Sequence, residues 1–194
     1  MYTSSTFAES SAGNIVRALR ASFHMNSYEL AKKSGLNATT LYTLENWLYI
    51  GNYKIPDSVL IHLSNGLGIK LEEITSILTY SKLNPSYLQA LRLCIENINH
   101  DKMSETVTRG GILRIIRICL EMDLISYSKK LNLSSSSIRN YEMNKTKISK
   151  KSALKYSIFL KITIEEFYSL LEYADTKPTY CEALSKVLEV VFEI

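Results

Sequence analysis

Residues 15–45 have the sequence IVRALRASFHMNSYELAKKSGLNATTLYTLE, and residues 112–142 have the sequence ILRIIRICLEMDLISYSKKLNLSSSSIRNYE. A shift of 97 positions aligns these two stretches. Repeats at one fixed offset indicate copies of a single structural unit. The aligned residues are Ile15-Val16-Arg17 with Ile112-Leu113-Arg114, Arg20 with Arg117, Met25 with Met122, Lys32-Lys33 with Lys129-Lys130, Leu36 with Leu133, and Glu45 with Glu142.

A second set of matches follows at an offset of 93. The change from 97 to 93 places a four-residue insertion in the first copy, between Glu45 and Leu67. We therefore predict two homologous units, residues 1–103 and residues 104–194. The later matches are Leu67, Ile69, Glu72-Glu73, Ser76, Leu78 and Tyr80 with Leu160, Ile162, Glu165-Glu166, Ser169, Leu171 and Tyr173, then Pro85, Tyr87, Ala90 and Leu91 with Pro178, Tyr180, Ala183 and Leu184.

Apolar residues recur at three- and four-residue steps along the chain, and glycine and proline are scarce, which predicts an all-α protein. In the first unit, helix one is expected over Asn14–Phe23. Helix two is expected to begin at Asn26, whose side chain can cap the helix while Glu29 bonds back. It should end near Gly35, since glycine readily adopts the left-handed conformation that terminates helices.

A third helix, Ala38 to Glu45 or beyond, is expected after the capping residue Asn37. Only a few residues separate helices two and three, so they should cross at a steep angle. Further helices are predicted after Pro56, over Leu71–Leu78 and from Pro85, the last with an apolar stripe of Leu88, Leu91, Ile95 and Ile98. The second unit repeats these features with Asp123 as cap of helix two, Asn132 in place of the glycine and Ser134 as cap of helix three.

These residues resemble the Cro/lambda-repressor (Xre) family of helix-turn-helix proteins. The resemblance covers the five-helix core of each unit, residues 12–78 and 109–171, and the two sixth helices fall outside it. It implies two tandem lambda-repressor-like modules and, as the usual role of the family, transcriptional control by operator binding. The matching residues are Arg20, Leu30-Ala31, Gly35-Leu36, Leu41, Leu44 and Glu45 in the first copy, and Arg117, Leu133, Ile138 and Glu142 in the more divergent second copy.

The resemblance also implies that helix three of each unit enters the major groove of double-stranded DNA with its N-terminal residues at the base edges. Arginine can bond bidentately to guanine and asparagine to adenine, so the second unit carries the stronger base-contacting residues. The implied DNA-binding residues are Ala38, Thr39, Tyr42 and Thr43 in the first unit, and Ser134, Ser135, Ser136, Arg139 and Asn140 in the second, with Lys145 and Lys147 near the phosphates.

Charge differs strongly between the matching stretches of the two units. Residues 124–161 contain nine basic residues and one acidic residue, whereas residues 26–56 contain three basic and two acidic residues. Phosphate contacts supply most nonspecific affinity for DNA, so we expect the second unit to dominate binding. Lys150, Lys151 and Lys155 are consistent either with phosphate contacts or with a solvated helix face.

Two further features are predicted to be structural. In the resembled family the glutamate that ends helix three pairs with the arginine of helix one, which implies the pairs Arg20–Glu45 and Arg117–Glu142. The inserted segment of the first unit is either an extension of helix three packed on its own unit or an exposed aromatic patch for a protein or peptide partner. Its aromatic residues are Trp47, Tyr49 and Tyr53.

Each sixth helix keeps an apolar face after the five-helix core is complete, and such a face needs cover. We predict that the two sixth helices pack together as an internal pseudo-dimer or, preferably, pack against a second chain in a homodimer. The predicted dimerisation residues are Val187, Leu188, Val191 and Phe192.

Several classes of protein are excluded by what the sequence lacks. It has no phosphate-binding loop, paired-carboxylate cleft or nucleophile motif, so we expect no enzymatic activity, no cofactor and no metal site. Three widely spaced cysteines and the absence of a signal peptide or long apolar run favour a cytoplasmic protein without a membrane contact.

The sequence predicts a DNA-binding repressor. The alternatives are a phage-type inhibitor that binds a protein or RNA and also represses its own promoter, and a ligand-responsive regulator.

Overall fold

Helices account for all the regular structure in the computed structural model, which describes residues 11–46, 55–100 and 105–194. This part of the chain contains no β-strand, only one isolated bridge between Thr106 and Thr179. The all-α prediction is therefore confirmed. The chain divides into two compact units, Met1–His100 and Asp101–Ile194.

Helix α2 of the first unit, Ser27–Ser34, begins and ends at the features expected of it, whereas α1 runs over Ser11–Ser22 and begins three residues before the predicted Asn14. Asn26 caps α2 by accepting a hydrogen bond from the Glu29 amide, and the Glu29 carboxylate accepts one from the Asn26 amide. Gly35 ends α2 with φ of 68°, the left-handed value predicted for it. The helices are α1 Ser11–Ser22, α2 Ser27–Ser34, α3 Ala38–Asn46, α4 Asp57–Leu67, α5 Leu71–Thr79 and α6 Tyr87–Asn97, with a 3₁₀ helix at Tyr80–Leu83.

The second unit uses the substituted residues in the same roles. Asp123 and Ser134 cap α8 and α9 through their side-chain oxygens, and Asn132 ends α8 with φ of 50°. All three predictions are confirmed. The helices are α7 Arg109–Cys119, α8 Leu124–Leu131, α9 Ser135–Glu142, α10 Lys150–Leu160, α11 Ile164–Tyr173 and α12 Tyr180–Phe192, with a 3₁₀ helix at Ala174–Thr176.

Helix boundaries in the two units follow the offsets found in the sequence. Both ends of α8 lie 97 residues after those of α2, and both ends of α10 lie 93 residues after those of α4. The offset therefore changes between α3 and α4, which is where the insertion was predicted. The segment that joins these two helices includes residues 47–54, so Trp47, Tyr49 and Tyr53 lie outside the described residues.

An arginine of the first helix binds the glutamate of the third helix in each unit. Arg20 donates from Nε and Nη2 to the two oxygens of Glu45, at 2.6 and 3.0 Å. Arg117 binds Glu142 in the same way, at 2.7 and 2.8 Å. The glutamate side chains are only 5% and 8% exposed. Both predicted ion pairs are confirmed, and each joins two helices that are 25 residues apart in sequence.

A glycine lets the first and third helices of each unit approach closely. A Cβ atom on Gly13 would lie 2.7 Å from the carbonyl oxygen of Glu45. Gly110 faces the carbonyl oxygens of Tyr141 and Glu142 in the same manner. These contacts leave no room for a larger residue, so the two glycines fix the distance between the helices that carry the ion pair.

The cores of the two units differ where the second and fourth helices meet. In the first unit Gly66 lies directly against Ser34, so α4 packs closely on α2. The second unit has a cluster of aromatic rings instead, in which Tyr127 lies edge-on to Tyr156 with ring centroids 5.9 Å apart. Tyr156 in turn stacks on Phe167 at 5.4 Å.

The sixth helices pack differently from the prediction. The main packing partner of α6 is α1, and that of α12 is α7, so each sixth helix lies against the first helix of its own unit. Val187 and Leu188 are 0% and 2% exposed. They belong to the core of the second unit, and their prediction as dimerisation residues is wrong. Val191 and Phe192, near the end of α12, are half-buried.

The Arg117–Glu142 pair gives a first testable prediction. Arg117→Ala should lower the free energy of unfolding by about 3–5 kcal/mol, because it leaves the buried carboxylate of Glu142 without a partner. Chemical denaturation followed by circular dichroism measures this change. The matched control is Arg109→Ala, which breaks an ion pair with Asp175 in which both side chains are more than half exposed. Equal losses in the two variants would contradict a structural role for the buried pair.

Candidate nucleic-acid interface

The turn between α8 and α9 holds the start of α9 at the surface of the second unit. Only Asn132, Leu133 and Ser134 separate the two helices. Ser134 Oγ accepts a hydrogen bond from the Ser137 amide at 3.0 Å, which fixes the first turn of α9. Ile138 is the buried residue of α9 and holds the inner face of the helix in the core. The opposite face is therefore left towards solvent.

The five residues predicted on α9 and its cap have different environments. Ser136 and Arg139 are exposed, and Asn140 is half-buried. Arg139 has no ion pair within the described residues, so its guanidinium is available for a ligand. Ser135 is half-buried, and its hydroxyl lies 2.9 Å from the hydroxyl of Ser128 on α8. Ser135 and Ser134 therefore have structural contacts of their own, which favours Ser136, Arg139 and Asn140 as the contact residues.

The loop after α9 is held by hydrogen bonds that the sequence did not suggest. Asn144 accepts from the Gly110 amide at 2.8 Å and donates to Thr108 Oγ1 at 2.6 Å. The Asn140 carbonyl accepts from the Lys145 amide at 2.9 Å. Asn144 thus connects this loop to the start of α7. Lys145 and Lys147 in the same loop are both exposed.

The lysines of α10 do not form a uniform surface. Lys150 and Lys151, at the start of the helix, are exposed. Lys155 is half-buried and donates a hydrogen bond to the carbonyl oxygen of Asn132, the residue that ends α8. A lysine at the C-terminal end of a helix is stabilised by the helix dipole. Lys155 therefore has a capping role, whereas the four exposed lysines at positions 145–151 lie in the loop after α9 and the first turn of α10.

Ionisation states around α9 follow from burial and hydrogen bonding. The hydrogen bond to Glu142 raises the pKa of Arg117, so this guanidinium stays charged. Burial raises the pKa of Tyr127 and Tyr156, which remain neutral. Hydrogen bonds from Ser126 lower the pKa of Asp123, which stays negative at the N-terminus of α8.

The corresponding surface of the first unit is aromatic and weakly charged. Ala38 and Thr39 are exposed at the start of α3, Tyr42 is 66% exposed and Thr43 is half-buried. Tyr28, at the start of α2, is 71% exposed. The predicted residues of this unit therefore lie at its surface, but the basic residues that follow α9 have few counterparts here.

Two features of the site were missed from the sequence. Gly13 and Gly110 coincide at the 97-residue offset, so the alignment of the repeats could have identified them. Asn144 has no such indication, because the equivalent position in the first unit is Trp47. Its role depends on a hydrogen bond to a residue 34 positions away, which no local pattern predicts.

Within residues 11–46, 55–100 and 105–194, neither a metal-ligand cluster nor a membrane-spanning helix is found. No group of three or more His, Cys, Asp or Glu side chains in those ranges could hold a metal ion. None of the described helices combines the length and the apolar character that crossing a membrane requires. Comparison with protein-family models, with curated proteins and with solved structures finds no match to this chain.

The cap of α9 gives a second testable prediction. Ser134→Ala should lower the free energy of unfolding by about 1 kcal/mol, because the Ser137 amide loses its hydrogen-bond acceptor. Ser136→Ala is the matched control, since Ser136 is exposed and accepts no backbone hydrogen bond. Urea denaturation of both variants measures the difference. If Ser136→Ala is as destabilising as Ser134→Ala, the capping role of Ser134 is wrong.

Proposed function

We propose that this chain is a sequence-specific DNA-binding transcriptional repressor of the cytoplasm, built from two lambda-repressor-like helix-turn-helix modules in tandem and without catalytic activity. Helix α9 enters the major groove of double-stranded DNA, with Ser136, Arg139 and Asn140 at the base edges. Lys145 and Lys147 contact phosphates beside the groove. Helix α3 presents Ala38, Thr39, Tyr42 and Thr43 in the same way, with a smaller share of the affinity.

The observation that carries this proposal is the surface around the end of α9. Arg139 is exposed on a short helix whose inner face is held by the buried Ile138, and the four exposed lysines at positions 145–151 follow it in the chain. No acidic residue lies between positions 143 and 164. Phosphate contacts position a protein on DNA, and base contacts specify the sequence. This surface offers both kinds of group side by side.

The two units contribute unequally to DNA binding in this proposal. Both hold their third helix with the same arginine–glutamate pair, so both present it at the surface. Arg139 and Asn140 of the second unit can discriminate bases by about 1–3 kcal/mol each, whereas Tyr42 and Thr43 have no comparable bidentate pairing. The second unit therefore supplies most of the affinity and specificity.

A second function is favoured by the exposed tyrosines of the first unit. Tyr28 and Tyr42 are each about two-thirds exposed or more, and tyrosine is enriched where proteins bind one another. In this alternative the first unit binds a protein or RNA, as in a phage-type inhibitor that also represses its own promoter. Val191 and Phe192 are two half-buried apolar residues near the end of α12 that could contact a second chain in a homodimer, and the mass of the protein in solution tests that contact.

A third testable prediction concerns base contacts. A DNA sequence selected by the purified protein from a random library serves as the probe. Arg139→Ala and Asn140→Ala should each weaken binding about five- to 150-fold, the equivalent of losing one good base contact. Tyr42→Ala and Thr43→Ala are matched controls, because they occupy the same positions of the first unit and should cost much less. Fluorescence anisotropy measures each affinity, and thermal melts check folding.

The outcomes of that experiment distinguish the two functions. If no DNA sequence is enriched, or if both second-unit variants bind as tightly as the original protein, the DNA-binding proposal is wrong. If the Tyr42 variant alone loses binding, the first unit carries the specificity instead.

A fourth testable prediction concerns phosphate contacts. The logarithm of the DNA affinity should fall linearly with the logarithm of salt concentration, with a slope near −0.9 for each phosphate neutralised. Lys145→Ala and Lys147→Ala should each reduce this slope by about one and weaken binding to all sequences equally. Lys82→Ala is the control, since Lys82 is an exposed lysine of the first unit away from α3. If neither Lys145→Ala nor Lys147→Ala changes the slope, the proposal that these lysines contact phosphates is wrong.

A further inference from the structure

The second unit contains an open groove that the proposed function does not use. Its volume is about 960 Å³, within the range of small-molecule sites. It lies between the start of α7, the loop after α9, and α11 with the 3₁₀ helix that follows it. All its lining residues belong to the second unit.

The groove combines apolar side chains with an excess of positive charge. Ile148 and Tyr168 are half-buried lining residues that supply accessible apolar surface, with the buried Leu113 and Leu171 behind them. Arg109, Lys147 and Lys177 also line it and are exposed, against the single carboxylate of Asp175. Asp175 already forms an ion pair with Arg109. The two lysines are therefore left without an acidic partner among the lining residues.

We propose that this groove binds a small organic anion with an apolar body, held by Lys147 and Lys177 at its acidic group and by Ile148 and Tyr168 at its apolar part. A neutral apolar ligand would leave both lysines unused, and an inorganic ion would not cover the accessible apolar surface of Ile148 and Tyr168. The size, lining and charge of the groove together define this ligand class.

A ligand in the groove can affect DNA binding because the groove and the proposed DNA-binding surface share Lys147. Lys147 lines the groove and also belongs to the loop after α9. Asn144 of the same loop accepts a hydrogen bond from the Gly110 amide at the start of α7. A bound anion competes with DNA phosphate for the Lys147 ammonium group. This regulatory step rests on the proposed function, and it makes the anion an antagonist of DNA binding. Linkage requires DNA to weaken anion binding by the same factor.

The groove is tested with anilinonaphthalene sulfonate, a fluorescent aromatic anion, on the full chain without DNA. Its fluorescence titration should saturate with one site per chain. Lys177→Gln should weaken binding about threefold, as expected for one exposed charge contact. Lys82→Gln, which makes the same change of net charge in the first unit, should not weaken it. Thermal melts of each variant ensure that the dye reports on folded protein.

Two further measurements complete the test. N-phenylnaphthylamine, which has the same aromatic body without the sulfonate, should bind several-fold more weakly. Thr106→Trp fills the groove from an exposed lining position and should abolish saturable binding of the sulfonate. Equal affinity of Lys177→Gln and Lys82→Gln, or unchanged binding in Thr106→Trp, would overturn the site.

The regulatory step has its own readout. A saturating concentration of the sulfonate should weaken binding of the selected DNA about threefold, and Lys177→Gln should require more dye for the same effect. Dye binding that leaves DNA affinity unchanged overturns the regulation. Dye binding by a chain that enriches no DNA sequence supports the groove and overturns the proposed function, so the two failures are distinguishable.

Discussion

The arrangement of each unit depends on one bidentate contact between a guanidinium group and a carboxylate. In the second unit Arg117 holds both oxygens of Glu142, and it also donates to the carbonyl of Met122 in the turn before α8. A single side chain thus links the first helix, the turn into the second and the end of the third. Replacing a buried ion pair by apolar groups can be neutral, but removing one partner leaves an uncompensated charge. The pair therefore fixes geometry more than it adds net stability.

The same contact explains how two units with one internal arrangement can present different surfaces. Arg20 and Glu45 repeat the geometry of the second unit to within a few tenths of an ångström. With the inner face of the third helix held in this way, its outer positions do not take part in folding. Substitutions there change what the helix can bind without changing how it is held. Tyr42 occupies the position in the first unit that Arg139 occupies in the second, and both are exposed.

The sixth helix completes each unit and leaves less apolar surface than its sequence suggests. In α12 the residues Val187 and Leu188 are buried within the second unit. Closing the core with a local helix keeps the N-terminal end of α7 and its neighbours together, because the segment before α7 is bonded to the segment before α12: the Val107 amide donates to the Pro178 carbonyl at 2.8 Å. This segment is one side of the proposed anion groove. The groove is thus a consequence of how the sixth helix is attached.

The helix ends could be predicted from the sequence, because a capping side chain or a left-handed residue acts on backbone groups only a few positions away. The roles of Asn26, Gly35, Asn132 and Ser134 are predictable for that reason, and the two ion pairs are implied by the family resemblance. The packing partner of each helix could not be predicted from the sequence. An apolar stripe on α12 has the same spacing whether it packs against α7 or against another chain, so the spacing does not distinguish these two partners. Only the tertiary structure decided that Val187 is core, that Lys155 caps α8 and that Asn144 joins α9 to α7, because each depends on contacts between residues far apart in the chain.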